Sequence, residues 1–274
     1  MALPNPHEVH AFRRLVYAHY RKHARQLPWR KTRNPYRILV SEIMLQQTQV
    51  ERVIPYYRNF LARFPTISVL ARASLKEALA AWQGLGYNRR GKLLHECART
   101  AMEAHGGKLP RTAALLENLP GIGPYTARAI LAFAYNKEVA MIETNIRTVY
   151  LYHFFKNKTN VSDKEIVRYI VQTLDGKNPR KWYSALMDYG AHLKENGIRL
   201  NAKSKHYAKQ SKFEGSTRQL RGRILKESLE RGVIDIKKIA KEMRKPPRQV
   251  AAAADSLARE GLLQDYSKRQ GAPE

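Results

Sequence analysis

From residue 7 almost to the end of the chain, apolar side chains recur three and four positions apart, the spacing of a helix with one buried face. In 7–26 the stripe is Val9, Phe12, Leu15, Val16 and His19. Pro28 and Pro35 then interrupt it. The pattern predicts helices over 36–48, 55–63, 75–82, 89–104, 112–118, 125–133, 144–155, 163–173 and 179–192. Gly84, Gly86, Gly106 and Gly107 stand at helix ends, where a left-handed residue closes the last turn. No pair of alternating β-branched runs flanks a tight turn before residue 230. The expected fold class is therefore all-α.

Charge narrows the class of partner. The chain has 274 residues with 50 Lys+Arg against 23 Asp+Glu, a formal net charge of +27. Residues 194–274 hold 20 basic and 10 acidic residues, so most of the excess lies upstream and is not a tail property. A polyanion is the economical partner, and nucleic acid is favoured over a membrane surface because no stretch looks lipid-inserting. The longest apolar run, 129–135, is too short to span a bilayer, and the first residues contain no secretory h-region. The expectation is a cytoplasmic, nucleoid-associated if prokaryotic, monomeric protein with no membrane partner. One cysteine, Cys97, excludes an internal disulfide and a cysteine-rich metal site.

Periodicity lapses over 194–216, where Lys194, Arg199, Lys203, Lys205, Lys209 and Lys212 face only Glu195 and Glu214. This segment reads as a basic linker. Beyond it, helical patterns over 218–231, 236–243 and 248–260 precede GLLQDYSKR, which suits a short hairpin. Three helices and a wing over 217–274 resemble a winged helix-turn-helix, expected to add phosphate contacts.

The strongest local signal is LPGIGPYTARAI, 119–130. Two helices joined by a turn containing Gly121 and Gly123 can take positive φ there and admit a neighbouring backbone. The turn amides and the start of the next helix, at Tyr125 and Thr126, then suit a phosphate oxygen.

Several strings together carry a family resemblance: LPWR (27–30), NPYRILVSEIMLQQTQVERVIPYY (34–57), GLGYNRRGKLLHECA (84–98), HGGKLP (105–110), LPGIGPYTARAI (119–130), IETNIRTVY (142–150) and LMDYGA (186–191). They resemble the helix-hairpin-helix (HhH-GPD) DNA glycosylase superfamily that includes endonuclease III, and within it the adenine DNA glycosylases of the MutY type. The resemblance covers about residues 7–193. It implies a two-lobed glycosylase domain over 1–193, with a helical-barrel lobe at about 31–137 and a second lobe from 1–30 plus 138–193. It also implies monofunctional excision of a mispaired base from double-stranded DNA, adenine opposite 8-oxoguanine or guanine. Thymine or uracil opposite guanine is the alternative substrate, and a catalytically weak DNA-binding relative is the alternative class.

The residue roles follow from that resemblance. Glu42 shares a partly apolar stripe with Ile38 and Leu45, where desolvation holds a proton near neutral pH. The resemblance makes it the acid that protonates N7 of the flipped adenine. A second carboxylate opposes oxocarbenium-like charge; the family motif offers aspartate where this chain has Glu143, one methylene longer. Asn145 matches the motif, and Arg147 follows it toward a phosphate. Tyr125 stands where endonuclease III relatives carry the lysine that attacks C1′ and MutY-type chains carry serine; tyrosine there resembles the thymine mismatch glycosylases. A phenol forms no Schiff base. Gln46, Gln47 and Gln49, with Tyr87 in GLGY, resemble the elements that fill the space of an extruded base, and Arg89 is expected among the DNA contacts. Leu45 is expected in the core, as are Trp29, Trp82 and Trp182.

Two departures complete the expectation. After LMDYGA the family places four cysteines for a [4Fe–4S] cluster, but Lys194 stands at the first ligand's place and no cofactor is expected. The basic residues of that segment are expected to make the DNA contacts of the cluster loop. MutY-type chains also carry a Nudix-like domain that reads 8-oxoguanine, and the small helical module stands in its place here.

Overall fold

The computed structural model describes residues 3–205 and 212–263. It contains α1 (Pro6–His23), a 3-10 turn at Pro28–Lys31, α2 (Pro35–Leu45), α3 (Val50–Arg63), α4 (Ile67–Arg72), α5 (Leu75–Trp82) and α6 (Arg89–His105). There follow α7 (Ala113–Glu117), α8 (Pro124–Tyr135), α9 (Thr144–Phe154), α10 (Asp163–Thr173), α11 (Pro179–Glu195) and a 3-10 turn at Leu200–Lys203. The last helices are α12 (Thr217–Arg231), α13 (Ile236–Met243) and α14 (Pro247–Arg259). Among the described residues the only β pairing is an isolated bridge between Val161 and Ser204, so the fold is all-α. No described helix is long and apolar enough to cross a membrane.

Two compact units divide the chain: residues 1–42 with 109–209, and residues 43–108 with 210–274. This division differs from the lobes expected at 31–137 and 138–193. Residues 109–137 belong with the N-terminal helix, and the C-terminal module belongs with 43–108.

The first unit is built around aromatic side chains. Phe12 of α1 meets Tyr150 and Phe154 of α9 and Trp182 of α11 edge to face, with ring centroids 5.6, 5.0 and 5.8 Å apart. Such pairs add specific geometry to ordinary burial. α1 stops at His23, before residue 26, because Asp188 takes the next segment out of the helix. Its carboxylate accepts the backbone N–H of Arg25 at 3.0 Å and the guanidinium of Arg30 at 2.6 and 2.8 Å. LPWR and LMDYGA, distant in sequence, are joined by this pair.

The expected linker is ordered over 194–205. Val161 N–H donates to Lys203 O at 2.9 Å, Lys205 N–H donates to Val161 O at 3.0 Å, and Asn201 donates to Thr148 Oγ1 at 3.1 Å. Ile198 and Leu200 pack on the aromatic core. Their apolar contribution was masked in the sequence by six surrounding cations.

In the second unit α2 ends at Leu45, short of residue 48. The buried guanidinium of Arg90 takes the carbonyls of Ile43 and Met44 at 2.9 and 3.0 Å, and that of Gln46. These acceptors would otherwise need another helical turn. α3 begins at Val50, so Pro55 lies inside it; Pro55 is exposed, where water can reach the Glu51 carbonyl left without a donor. α4 was not anticipated: six residues between Pro65 and Ser74 are too short to show a period. Cys97 is fully buried in α6. The C-terminal helices form their own core of Leu220, Ile224, Leu225, Ile239, Val250 and Leu257, joined by Leu79 of α5. The expected wing lies, from residue 264 onward, outside the described residues.

Candidate active site

Glu42 sits in the middle of α2, flanked by Ser41 and Ile43, and is 6% exposed. Burial pushes its carboxyl up to about 7; a hydrogen bond from the Tyr125 hydroxyl opposes that shift, and the charge of Glu143 adds to it. Tyr125, at the start of α8, is partly buried, and desolvation beside two carboxylates raises its phenol well above the usual range. The phenol is therefore a proton-bearing donor to Glu42 and never a phenolate at ordinary pH.

Glu143 does two jobs with its two oxygens. As the N-cap of α9 its Oε1 accepts the backbone N–H groups of Asn145 and Ile146, both at 2.8 Å. Its Oε2 accepts the side-chain amide of Asn145 at 3.2 Å. These capping bonds fix the Glu143 carboxylate at the start of α9. Asn145 Oδ1 in turn accepts a hydrogen bond from Lys194 Nζ at 2.7 Å. Burial lowers the pKa of that ammonium, opposed by the attraction of Glu143. Gly190 permits this arrangement: a Cβ there would lie 2.3 Å from the Asn145 carbonyl oxygen. Lys194, expected to stand on a DNA-contacting loop, is instead the third member of a Glu143–Asn145–Lys194 chain.

The hairpin between α7 and α8 differs in one detail from expectation. Gly121 takes φ +76°, but Gly123 has φ −92°, ψ 179° and serves as the N-cap of α8. A Cβ on Gly123 would meet nothing within 4 Å, so the residue leaves an open approach to the backbone. No side chain caps α8, and Pro124 fills its first position. The first turn of α8 therefore opens on backbone and not on a capping side chain. The Thr126 side chain is buried.

The remaining predicted residues fall in three states. Gln47, Gln49 and Arg89 are exposed; Gln46 and Tyr87 are half-buried. Gln47 and Tyr87 take left-handed backbone angles, φ 56° and 49°. Arg147 is engaged within the fold, its guanidinium pairing side-on with Asp163 at 2.9 and 2.7 Å. Leu45, expected in the core, is half exposed, while its neighbour Met44 is fully buried; the three tryptophans are buried as expected. Arg90 and Asp188 escaped notice because a charged residue gives no periodic signal; only their place inside the carrying strings marked them.

A four-thiolate cluster does not fit these residues. The chain has one cysteine, and among the described residues no group of three His, Cys, Asp or Glu side chains is placed to hold a metal ion.

Residues 40–174 match the family described as the HhH-GPD superfamily base excision DNA repair protein. The adenine DNA glycosylase of Buchnera aphidicola subsp. Baizongia pistaciae is 37% identical over 179 residues, covering 64% of this chain and 50% of that protein. The adenine DNA glycosylase of Mycobacterium tuberculosis is 46% identical over 135 residues, 49% of this chain and 44% of that one. The chain thus spans about half the length of these curated relatives. Among solved structures, a thermostable thymine-DNA glycosylase superposes with a TM-score of 0.61 at 28% identity, over 67% of this chain and 86% of that one. Residues 40–174, just under half of the chain, thus match the HhH-GPD superfamily of base excision DNA repair proteins, within a helical fold like that of its solved relatives.

Proposed function

We propose that this chain is a monofunctional DNA N-glycosylase that excises a mispaired base, adenine opposite guanine or 8-oxoguanine. The observation that carries the reading is Glu42: a buried carboxyl with a pKa of about 7, hydrogen-bonded by Tyr125 and electrostatically coupled to Glu143. At neutral pH such a group is poised between acid and base. Glu42 delivers its proton to N7 of the extruded adenine. The C1′–N9 bond breaks, its electron pair stays with the base, and the positive charge left on the sugar faces the ionised Glu143. Water then adds to C1′, and its proton returns to a carboxylate. The hairpin turn at Gly121–Gly123, open where a Cβ on Gly123 would stand, takes a flanking phosphate, a contact that carries no sequence information.

The enzyme works without a metal cluster in this reading. The Lys194–Asn145–Glu143 chain does the anchoring at the position where the family binds one. Excision leaves an abasic site, because Tyr125 offers no amine for an imine with C1′.

Single-turnover base release from duplexes carrying A·G, A·8-oxoG, T·G and U·G, with the native chain and Glu42→Gln, tests the proposal. Adenine release should fall by about 10²- to 10⁴-fold in the variant while duplex binding persists. Release in Glu42→Gln within tenfold of the native rate would mean that another group protonates the base. The thymine reading is favoured by Tyr125 and by the likeness to a thymine-DNA glycosylase. Release from T·G but not from A·G would establish it. Borohydride should trap no protein–DNA adduct; a trapped adduct abolished by Lys194→Met would make the enzyme a lyase.

A further inference from the structure

The three helices of the C-terminal module carry a surface of their own. α13 is a short helix, Ile236–Met243; a turn of three residues follows it, and α14 begins at Pro247. Arg244 opens the turn in the left-handed region, at φ 50°, and its amide donates to the carbonyls of Ala240 and Lys241. Lys245 N–H closes the turn on Ala240 O at 3.0 Å. Glycine is the usual occupant of such a helix end; here it is a cation. A short helix, a three-residue turn and a longer helix are the proportions of a helix-turn-helix. α12 supports the pair, because Leu220, Ile224 and Leu225 share one core with Ile239 of α13 and with Val250 and Leu257 of α14.

That packing decides which side of α14 faces out. Val250, Ala253, Ala254 and Leu257 are buried, so Arg248, Gln249, Ala252, Asp255 and Arg259 form the exposed face at helical spacing. Its middle is alanine, and nothing bulky there keeps the helix out of a groove. Charge complements the shape. Residues 236–252 hold six basic side chains and one acid. That acid, Glu242, faces Arg223, while Glu227 takes Arg223, Arg231 and Lys238. Lys237, Lys241, Arg244 and Arg248 are exposed along the two helices and their turn. A second copy of this chain would bring like charges together on this face. A polyanion with a groove as wide as a helix would not, and duplex DNA is that partner.

We propose that α14 is a recognition helix, which enters the major groove of duplex DNA and reads its sequence independently of any damaged base. Arg248 and Gln249, in its first turn, meet base edges. Arginine donates to O6 and N7 of guanine, and glutamine pairs with N6 and N7 of adenine. Ala252 leaves room for a thymine methyl. Lys237, Lys241 and Arg244 meet phosphates, which orient the module without reading bases. The sequence pattern suggested phosphate contacts alone; the exposed face of α14 adds discrimination between sequences.

The test uses undamaged DNA. The full chain is offered lesion-free duplexes with a randomised core, and the bound fraction is selected and sequenced. The native chain should enrich a short motif containing purines and bind it about tenfold more tightly than a scrambled duplex. Replacing the motif's purines by 7-deazapurines removes N7 from the major groove and should cancel most of that preference. Arg248→Ala and Gln249→Ala place a good helix former at exposed positions, so the fold should persist, with an unchanged unfolding midpoint as the check. Combined, they should bring the preference to within about twofold. Lys241→Ala should instead weaken the motif and the scrambled duplex alike and reduce the slope of log affinity against log salt by about one. A native chain that enriches no motif, a motif kept in the double variant, or a preference indifferent to the loss of N7 overturns the proposal. The comparison needs no chemistry, so its failure leaves the glycosylase reading untouched.

Discussion

Glu42 shows how one residue's environment ties its protonation to the stability of the fold. Its carboxyl is raised from 4.5 to about 7 in the fold, so the native state holds the proton more tightly than the unfolded chain. That contribution is complete below about pH 4.5 and is lost as pH rises through 7, reaching roughly 3 kcal/mol. Glu42→Gln cannot ionise, so it should be more stable than the native protein at pH 8 and no more stable at pH 4.5. Denaturant titrations at the two pH values check this. Base release by the native protein should decline on the same limb, above pH 7. Lys194 makes a separate prediction. Lys194→Met keeps the buried stem but leaves Asn145 Oδ1 without its donor, so the Glu143 carboxylate loses its anchor. Single-turnover release should fall by about tenfold with duplex affinity unchanged, and Lys194→Arg should restore part of it.

The elements are held by arginine and aspartate as much as by apolar faces. Asp188 of α11 is almost fully buried and pairs with Arg25 and Arg30, whose attraction holds its carboxyl below the usual range against the cost of burial. Removing one partner of a buried pair typically costs about 3–5 kcal/mol. Asp188→Asn should therefore lower the unfolding free energy by about 3 kcal/mol, measured by urea denaturation, because both arginines remain and α1 loses its stop. Helix positions were legible where the apolar stripe was long, as in α1, α6 and α11. They were illegible where a polar side chain decides the boundary. Arg90 ends α2 at Leu45, Asp188 ends α1 at His23, and neither contact is encoded within a few residues of the end it sets. The same limit hid the order of residues 194–205, whose two apolar anchors sit among six cations.

At the scale of the whole molecule, the cluster of Glu42, Tyr125 and Glu143 was legible because its members lie in short contiguous strings. Glu42, Tyr125 and Glu143 were each identifiable from their neighbours in sequence. The partition into units was not, because residues 43–108 find their core partner in the C-terminal module through Leu79 and through Lys92, which donates to the Glu260 carbonyl at 2.6 Å. Acid should expose a different weakness. His153 packs on Phe12 with ring centroids 5.2 Å apart, and burial lowers it from 6.5 to about 4. The unfolded chain takes up that proton first, so stability present above pH 6.5 is lost as pH falls toward 4. His153→Phe should flatten the pH dependence of the unfolding midpoint in that window.

The solitary thiol has a consequence for the conditions under which such a protein must work. Cys97 is fully enclosed in α6, and burial raises it to about 12, so almost none of it is thiolate at neutral pH. Peroxides attack the thiolate. The oxidants that turn guanine into 8-oxoguanine therefore find no reactive sulfhydryl on this chain. Its base-release activity should survive a peroxide dose that consumes exposed thiols, with Cys97 still fully titratable after unfolding.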